Sequence, residues 1–192
     1  MACLLGGTLL SVAAKTAAAA TPVELNLKVL LVGTGSTDPT TAAWQSALSS
    51  EGVAYTEVTA TGIYGSEKVS LPALTTGSVG NFNGVVIADS PAAFAAGQLT
   101  ALDSYEVTYG VRQIDGYTAP YSGIGLTEVS TGALDGTTGT LTAAGLAALP
   151  ELAGPIPFAT GTNGYWSTVV SGAPFTPWLD NAAGQVLAGV YQ

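Results

Sequence analysis

Apolar and polar residues alternate along this chain in a way that marks out buried strands first. Leu25 to Val32 is a nearly unbroken apolar run that ends in Gly33-Thr34-Gly35-Ser36-Thr37, and Gly84 to Ala88 is a second such run that ends in Asp89-Ser90-Pro91. Runs without a polar alternate suit strands covered on both faces of a parallel sheet, so the two are expected side by side in the sheet interior. A helix is expected after the first: Asp38 is a good N-cap, Pro39 takes the first helical position, and Gly52 closes the segment after Glu51. Val53 to Val58 then reads as a strand, Gln98 to Tyr105 as a helix with Leu99 and Leu102 inward, and Tyr109 to Ile114 as a further strand. Leu71 to Leu74 is a candidate short element. The alternation predicts an α/β fold, an open and mostly parallel sheet with helices on both faces.

The second half follows a different rule. Thr118 to Gly139 is rich in Gly, Thr and Ser and predicts antiparallel hairpins or a long excursion from the sheet. Leu141 to Leu149 reads as a short helix, and Tyr165 to Val170 and Gln185 to Val190 as late strands. No internal repeat and no clean linker interrupts residues 22–192, which are expected to form one domain. The apolar run that ends at Gln192 leads us to expect a longer protein.

At the N-terminus, residues 1–21 combine a short apolar run with small residues and an Ala-x-Ala pattern at Ala18 and Ala20, which is the form of a secretion signal without its positive start. The bland alternative is an Ala-rich disordered leader. The run is too short and too broken to span a bilayer. A secreted, extracellular protein is the expectation.

Composition narrows the chemistry. The chain has no histidine, and its one cysteine, Cys3, lies in the leader, so zinc hydrolysis, Cys-His chemistry and Ser-His-Asp triads are closed to it. No metal and no cofactor is expected. With 13 acidic against 4 basic residues and a net charge of −9, it lacks the cations that nucleic acid or an anionic membrane surface would need. A neutral or cationic partner fits better, and 47% hydrophobic residues suffice for a core without disulfides.

Open α/β sheets bind ligands at the carboxyl ends of their strands, which makes Asp38, Asp89, Arg112 and Asp115 candidate ligand contacts gathered on one edge. Arg112, the chain's one arginine, is either a ligand contact or half of a salt bridge to Asp89 or Asp115. Aromatic rings stack on the apolar faces of sugars, so Trp166 and Trp178, in turn-rich surroundings, and Tyr117 and Tyr121, flanking Pro120, are candidate platforms. Trp44, on the first helix, is assigned to the core. A glycosidase using Asp89 and Asp115 as acid and base remains the rival enzymatic reading, and a ligand-free surface domain the structural one.

Two resemblances add to this. The turn Gly33-Thr34-Gly35-Ser36-Thr37 resembles the phosphate loop of flavodoxins, which would imply FMN, although Asp38 would set a carboxylate beside the phosphate. More broadly, LKVLLVGTGSTDPTTAAWQSALSSEGVAY, the strand GVVIADS and LDSYEVTYGVRQID resemble the N-terminal module of large secreted polysaccharide deacetylases, the fungal galactosaminogalactan deacetylase group. That resemblance covers residues 26–192. It implies a flavodoxin-like or glutamine amidotransferase-like carbohydrate-binding module, non-catalytic itself, with a metal-dependent deacetylase domain following in cis; the surplus of carboxylates points to amino-sugar-containing glycan as its ligand.

Overall fold

Leu30, Leu31 and Val32 are consecutive, yet none is more than 2% exposed. The strand that carries them, β1 (Val29–Gly33), therefore has no face left for water. The computed structural model describes residues 23–61, 68–88, 94 and 97–192. The leader assigned to 1–21 and the candidate Asp89 lie outside these.

β1 pairs in parallel with β2 (Tyr55–Thr59) on one side and with the later strand β5 (Gly84–Ile87) on the other. Between them in sequence, β3 (Thr75–Thr76) and β4 (Val79–Gly80) form a separate small hairpin. β6 (Arg112–Asp115) adds to β5, giving a four-stranded parallel sheet in the order β2-β1-β5-β6. The expected adjacency of the two apolar runs is thus observed. Leu25, at the start of the first run, makes only an isolated bridge to Gly80, because the strand proper begins at Val29.

Helices cover both faces, as the two-sided burial requires. α1 (Pro39–Ser50) lays Trp44 and Leu48 against Leu31, Val86 and Ala88. α2 (Gln98–Tyr109) lays Leu102 and Tyr105 against Leu30, Val32, Val85 and Ile87 on the opposite face. Each of these large apolar side chains contributes about 1.5–3 kcal/mol by leaving water. The Tyr105 hydroxyl also serves the backbone, accepting from the Phe82 amide at 2.9 Å and donating to the Phe82 carbonyl. α2 runs one turn past the expected end at Tyr105 and stops where Gly110 adopts φ 65°, a left-handed cap. Tyr109 is therefore helical and not part of β6.

Residues 122–192 build a second, antiparallel sheet. A short 3₁₀ turn (Ser122–Ile124) leads into β7 (Leu126–Ala133), followed by β8 (Thr138–Leu141), α3 (Ala143–Ala148) and β9 (Ile156–Pro157). β10 (Asn163–Val169), β11 (Phe175–Asp180) and β12 (Val186–Tyr191) complete it in the order β7-β10-β12-β11-β8-β9. Although adjacent in sequence, β7 and β8 do not pair; of the two expectations for the Gly/Thr stretch, the excursion describes it better than the hairpin. Leu126, Leu134 and Val186 are the large apolar side chains this sheet buries fully among the described residues, and most of β7 faces water.

α1 and the parallel sheet approach closely at Gly33. A Cβ there would come within 2.7 Å of Thr41 Cγ2, and closer still to the Thr41 hydroxyl that accepts from the Thr34 amide at 3.3 Å. Gly33→Ala should therefore cost about 1–3 kcal/mol by overpacking. Part of that loss should return in Gly33→Ala/Thr41→Ala, a coupling readable in a urea double-mutant cycle.

Candidate functional site

The strand order changes direction between β1 and β5: α1 carries the chain outward to β2, α2 outward to β6. The crevice at the carboxyl ends of β1 and β5 is the usual ligand position in such sheets. On the β1 side the turn is closed on itself. Asp38 Oδ2 accepts from the Thr41 amide at 2.6 Å, the Asp38 amide donates to the Gly35 carbonyl at 3.0 Å, and the Thr34 amide is held by Thr41. Three amides of this turn, those of Thr34, Asp38 and Thr41, are thus spent internally, and the Asp38 carboxylate fills the helix N-terminus. Asp38 acts as the helix cap.

The remaining candidates at this sheet separate. Arg112 is exposed and opens β6 opposite Gly84, at the amino edge, so it does not join Asp115 at the carboxyl end of the same strand. The sequence-based grouping fails there because the strand begins three residues later than the pattern suggested. Asp115 pairs in register with Ile87 and so shares the α2 face, whereas Asp38 belongs to the helix on the other face. Immediately after it, Gly116 donates to the Ile87 carbonyl at 2.7 Å and packs under α1; a Cβ there would lie 3.3 Å from Trp44 Nε1. Trp44 is partly buried in the α1 cluster, as expected.

On the α2 face, Asp115 meets two acids that the sequence reading did not single out. Glu106 is pushed from the usual 4.5 to about 7, chiefly by burial and further by the negative charges of Asp103 and Asp115. Asp115 is raised too, by burial first, against the opposing hydrogen bond from Gln113 Nε2 at 2.8 Å, with Asp103 adding to the rise. Glu106 Oε1 and Gln113 Oε1 are shielded from solvent with no partner among the described residues. The signal for this cluster was available in principle: Asp103 and Glu106 are three apart on one helix face. Among the described residues no group of three or more His, Cys, Asp or Glu is arranged to hold a metal ion.

A concave surface lies on the other sheet. A depression of about 390 Å³ opens on the antiparallel sheet, lined by residues 136–138, Trp166 and residues 181–183. Trp166 is partly buried in mid-strand on β10, where β7 bulges at Val129: Trp166 pairs with Ser130 and Ser167 with Glu128. Of the side chains lining the depression none is titratable. Asp180, just before the 181–183 wall, has one oxygen shielded with no hydrogen-bond partner among the described residues, and burial raises its pKa.

The other aromatic candidates are dispersed. Trp178 sits within β11 at a second bulge, between Pro177 paired with Gly189 and Leu179 paired with Ala188, and does not line the depression. Tyr117 is 43% exposed and its ring lies 5.7 Å from that of Tyr165, centroid to centroid. Tyr121, 57% exposed, leans over Gly123. Thr137, Thr138 and Asn181 were missed as site residues, since only the folded chain brings the 134–138 and 181–185 turns to Trp166.

No family model and no curated protein sequence matches the chain. Among solved structures, that of Agd3, described as a novel carbohydrate deacetylase, superposes with a TM-score of 0.70 at 19% sequence identity, over 88% of this chain and 28% of Agd3. The fold is shared with part of a carbohydrate deacetylase. The chain spans well under half of Agd3, so the likeness concerns one portion of that protein, and it includes residues from both sheets.

Glu106 makes the acidic cluster testable. The folded state holds its proton more tightly than the unfolded chain does, so the contribution of Glu106 to stability is fullest below about pH 4.5 and is lost as pH rises toward and through 7. Glu106→Gln removes that ionisation. It should leave stability unchanged at pH 4 and raise it by about 1–2 kcal/mol at pH 8, a figure discounted for the solvent that reaches this partly exposed group. Urea melts at the two pH values measure the difference.

Proposed function

We propose that this chain is a non-catalytic carbohydrate-binding module of a secreted polysaccharide-modifying protein, acting in cis with a catalytic domain outside residues 1–192. The observation that carries the reading is the fold likeness to 28% of a carbohydrate deacetylase in a chain that has no histidine. A deacetylase of the metal-dependent kind needs His and carboxylate ligands around its ion. The residues here supply instead an open depression with a tryptophan in it, which is the chemistry of holding a sugar ring. Amino-sugar-containing glycan remains the favoured ligand class.

The experiment is a pull-down of the purified chain on immobilised polysaccharides, including partly deacetylated polymers of N-acetylhexosamine, with acetate and reducing ends assayed in the same tubes. Retention on at least one glycan without either product, with or without added zinc, is the expected result. Release of acetate or of new reducing ends by pure protein would make it an enzyme and turn attention to Glu106 and Asp115. Absence of retention on every polymer would leave the ligand-free structural reading.

A further inference from the structure

The depression on the antiparallel sheet has three properties that together select a ligand. Its floor is an aromatic ring held in place from behind: Trp166 rests on Gly132 of β7, where a Cβ would lie 3.2 Å from both Cη2 and Cζ3 of the indole. Any larger residue at 132 would lift the ring. One wall is fixed by its own hydrogen bonds, since Asn181 Oδ1 accepts from the amides of Ala183 and Gln185, both at 2.9 Å, while Asn181 Nδ2 donates to Gln185 Oε1 at 2.7 Å. The turn is therefore set before any ligand arrives, and little ordering entropy is lost on binding. The opposite wall carries hydroxyls. Thr137 Oγ1 spends its proton on the Leu134 carbonyl at 2.6 Å, which leaves its lone pairs to accept, and Thr138 is exposed beside it.

Charge decides among ligands of the right shape. No ionisable side chain lines the depression, so nothing in it neutralises an ammonium or a carboxylate. A carboxylate or an equatorial amine sits at the edge of a stacked ring, so it would meet these walls and not the indole face; it would give up water with neither a charged partner nor a cation–π contact in return. The net charge of −9 further disfavours anionic sugars at long range. A flat ring with an apolar C–H face and hydroxyl edges, uncharged, matches floor and walls together.

We propose that the Trp166 depression is a stacking subsite for an uncharged pyranose ring, with the indole as platform, residues 181–183 as a preset wall, and Thr137 and Thr138 as hydroxyl partners. This rests on the carbohydrate-binding reading and sharpens it. The free amines of a deacetylated glycan are not read here; they must be read elsewhere on the chain or not at all.

The test uses the full chain and three soluble probes: an N-acetylhexosamine hexamer, its fully de-N-acetylated counterpart, and a hexuronate oligomer, measured by calorimetry and tryptophan fluorescence. The neutral hexamer should bind at least about tenfold more tightly than either charged probe, a ratio equal to roughly 1.4 kcal/mol. Trp166→Ala should weaken it by about the same factor while Trp166→Tyr keeps most of the affinity. Ala182→Tyr fills the depression from an exposed turn position and should abolish binding with the indole untouched, which keeps the test decisive if Trp166→Ala does not fold. Tight binding of the neutral hexamer by a folded Trp166→Ala or Ala182→Tyr protein would overturn the subsite and leave the carbohydrate-binding reading standing. A preference for the de-N-acetylated probe would overturn the charge argument. Binding of none of the probes or the immobilised polymers would sink both.

Discussion

Two-sided burial of β1 is the constraint on which the rest of this structure depends. A strand with no solvent face must have neighbours in its own sheet and a covering layer above and below, and each requirement fixes another part of the chain. Val85, Val86 and Ile87 of β5 meet it in register, α1 covers Leu31 and Val86, and α2 covers Leu30, Val32, Val85 and Ile87. Because the two helices lie on opposite faces, β2 and β6 are pushed to opposite edges. That divides the candidate residues between the two faces: Asp38 and Trp44 belong to one, Asp115 and Glu106 to the other.

The two sheets make opposite compromises. The parallel sheet spends its surface on packing and leaves its acids crowded at the β6 edge, where burial and mutual repulsion hold Glu106 near neutrality. The antiparallel sheet buries few apolar side chains fully among the described residues and draws more on its hydrogen-bonded ladders, with bulges at Val129 and Trp178 that bend it. A sheet of that kind is a poor place for tuned acid–base chemistry. It is a good place for a broad, rigid, weakly charged surface.

What the sequence disclosed follows the same division. The two apolar runs, the cap at Asp38 with Pro39 behind it, and the placing of Trp44 in the core were legible because each rests on residues close together in the chain. Arg112 misled for the same local reason: the apolar pattern across Tyr109 to Ile114 does not show that a left-handed Gly110 ends one element and starts the next. β11 escaped notice because Pro174 and Pro177 argue against a strand, and the bulge at Trp178 that accommodates Pro177 is set by Gly189 and Ala188 from β12. The Trp166 depression was only half visible. The indole was a fair candidate on its own, but its walls are supplied by turns about 30 residues before it and about 15 after it, and the acids beside Asp115 came from α2 across a gap that periodicity cannot bridge.

The strand order of the antiparallel sheet bears on how the protein is made. β7 and β8 leave the ribosome first, yet β7 pairs with β10 and β8 chiefly with β11 and β9, so neither finds its place until much later residues exist. β12, the last of this sheet's strands in sequence, is the bridge that joins β10 to β11 and so turns two separate ribbons into one sheet. Closure of the 134–138 connection across the sheet, and with it the wall beside Trp166, waits on β12. The parallel sheet and its helices, residues 29–115, all precede β7 in the chain, so during synthesis they can form while the surface that carries the indole is still open.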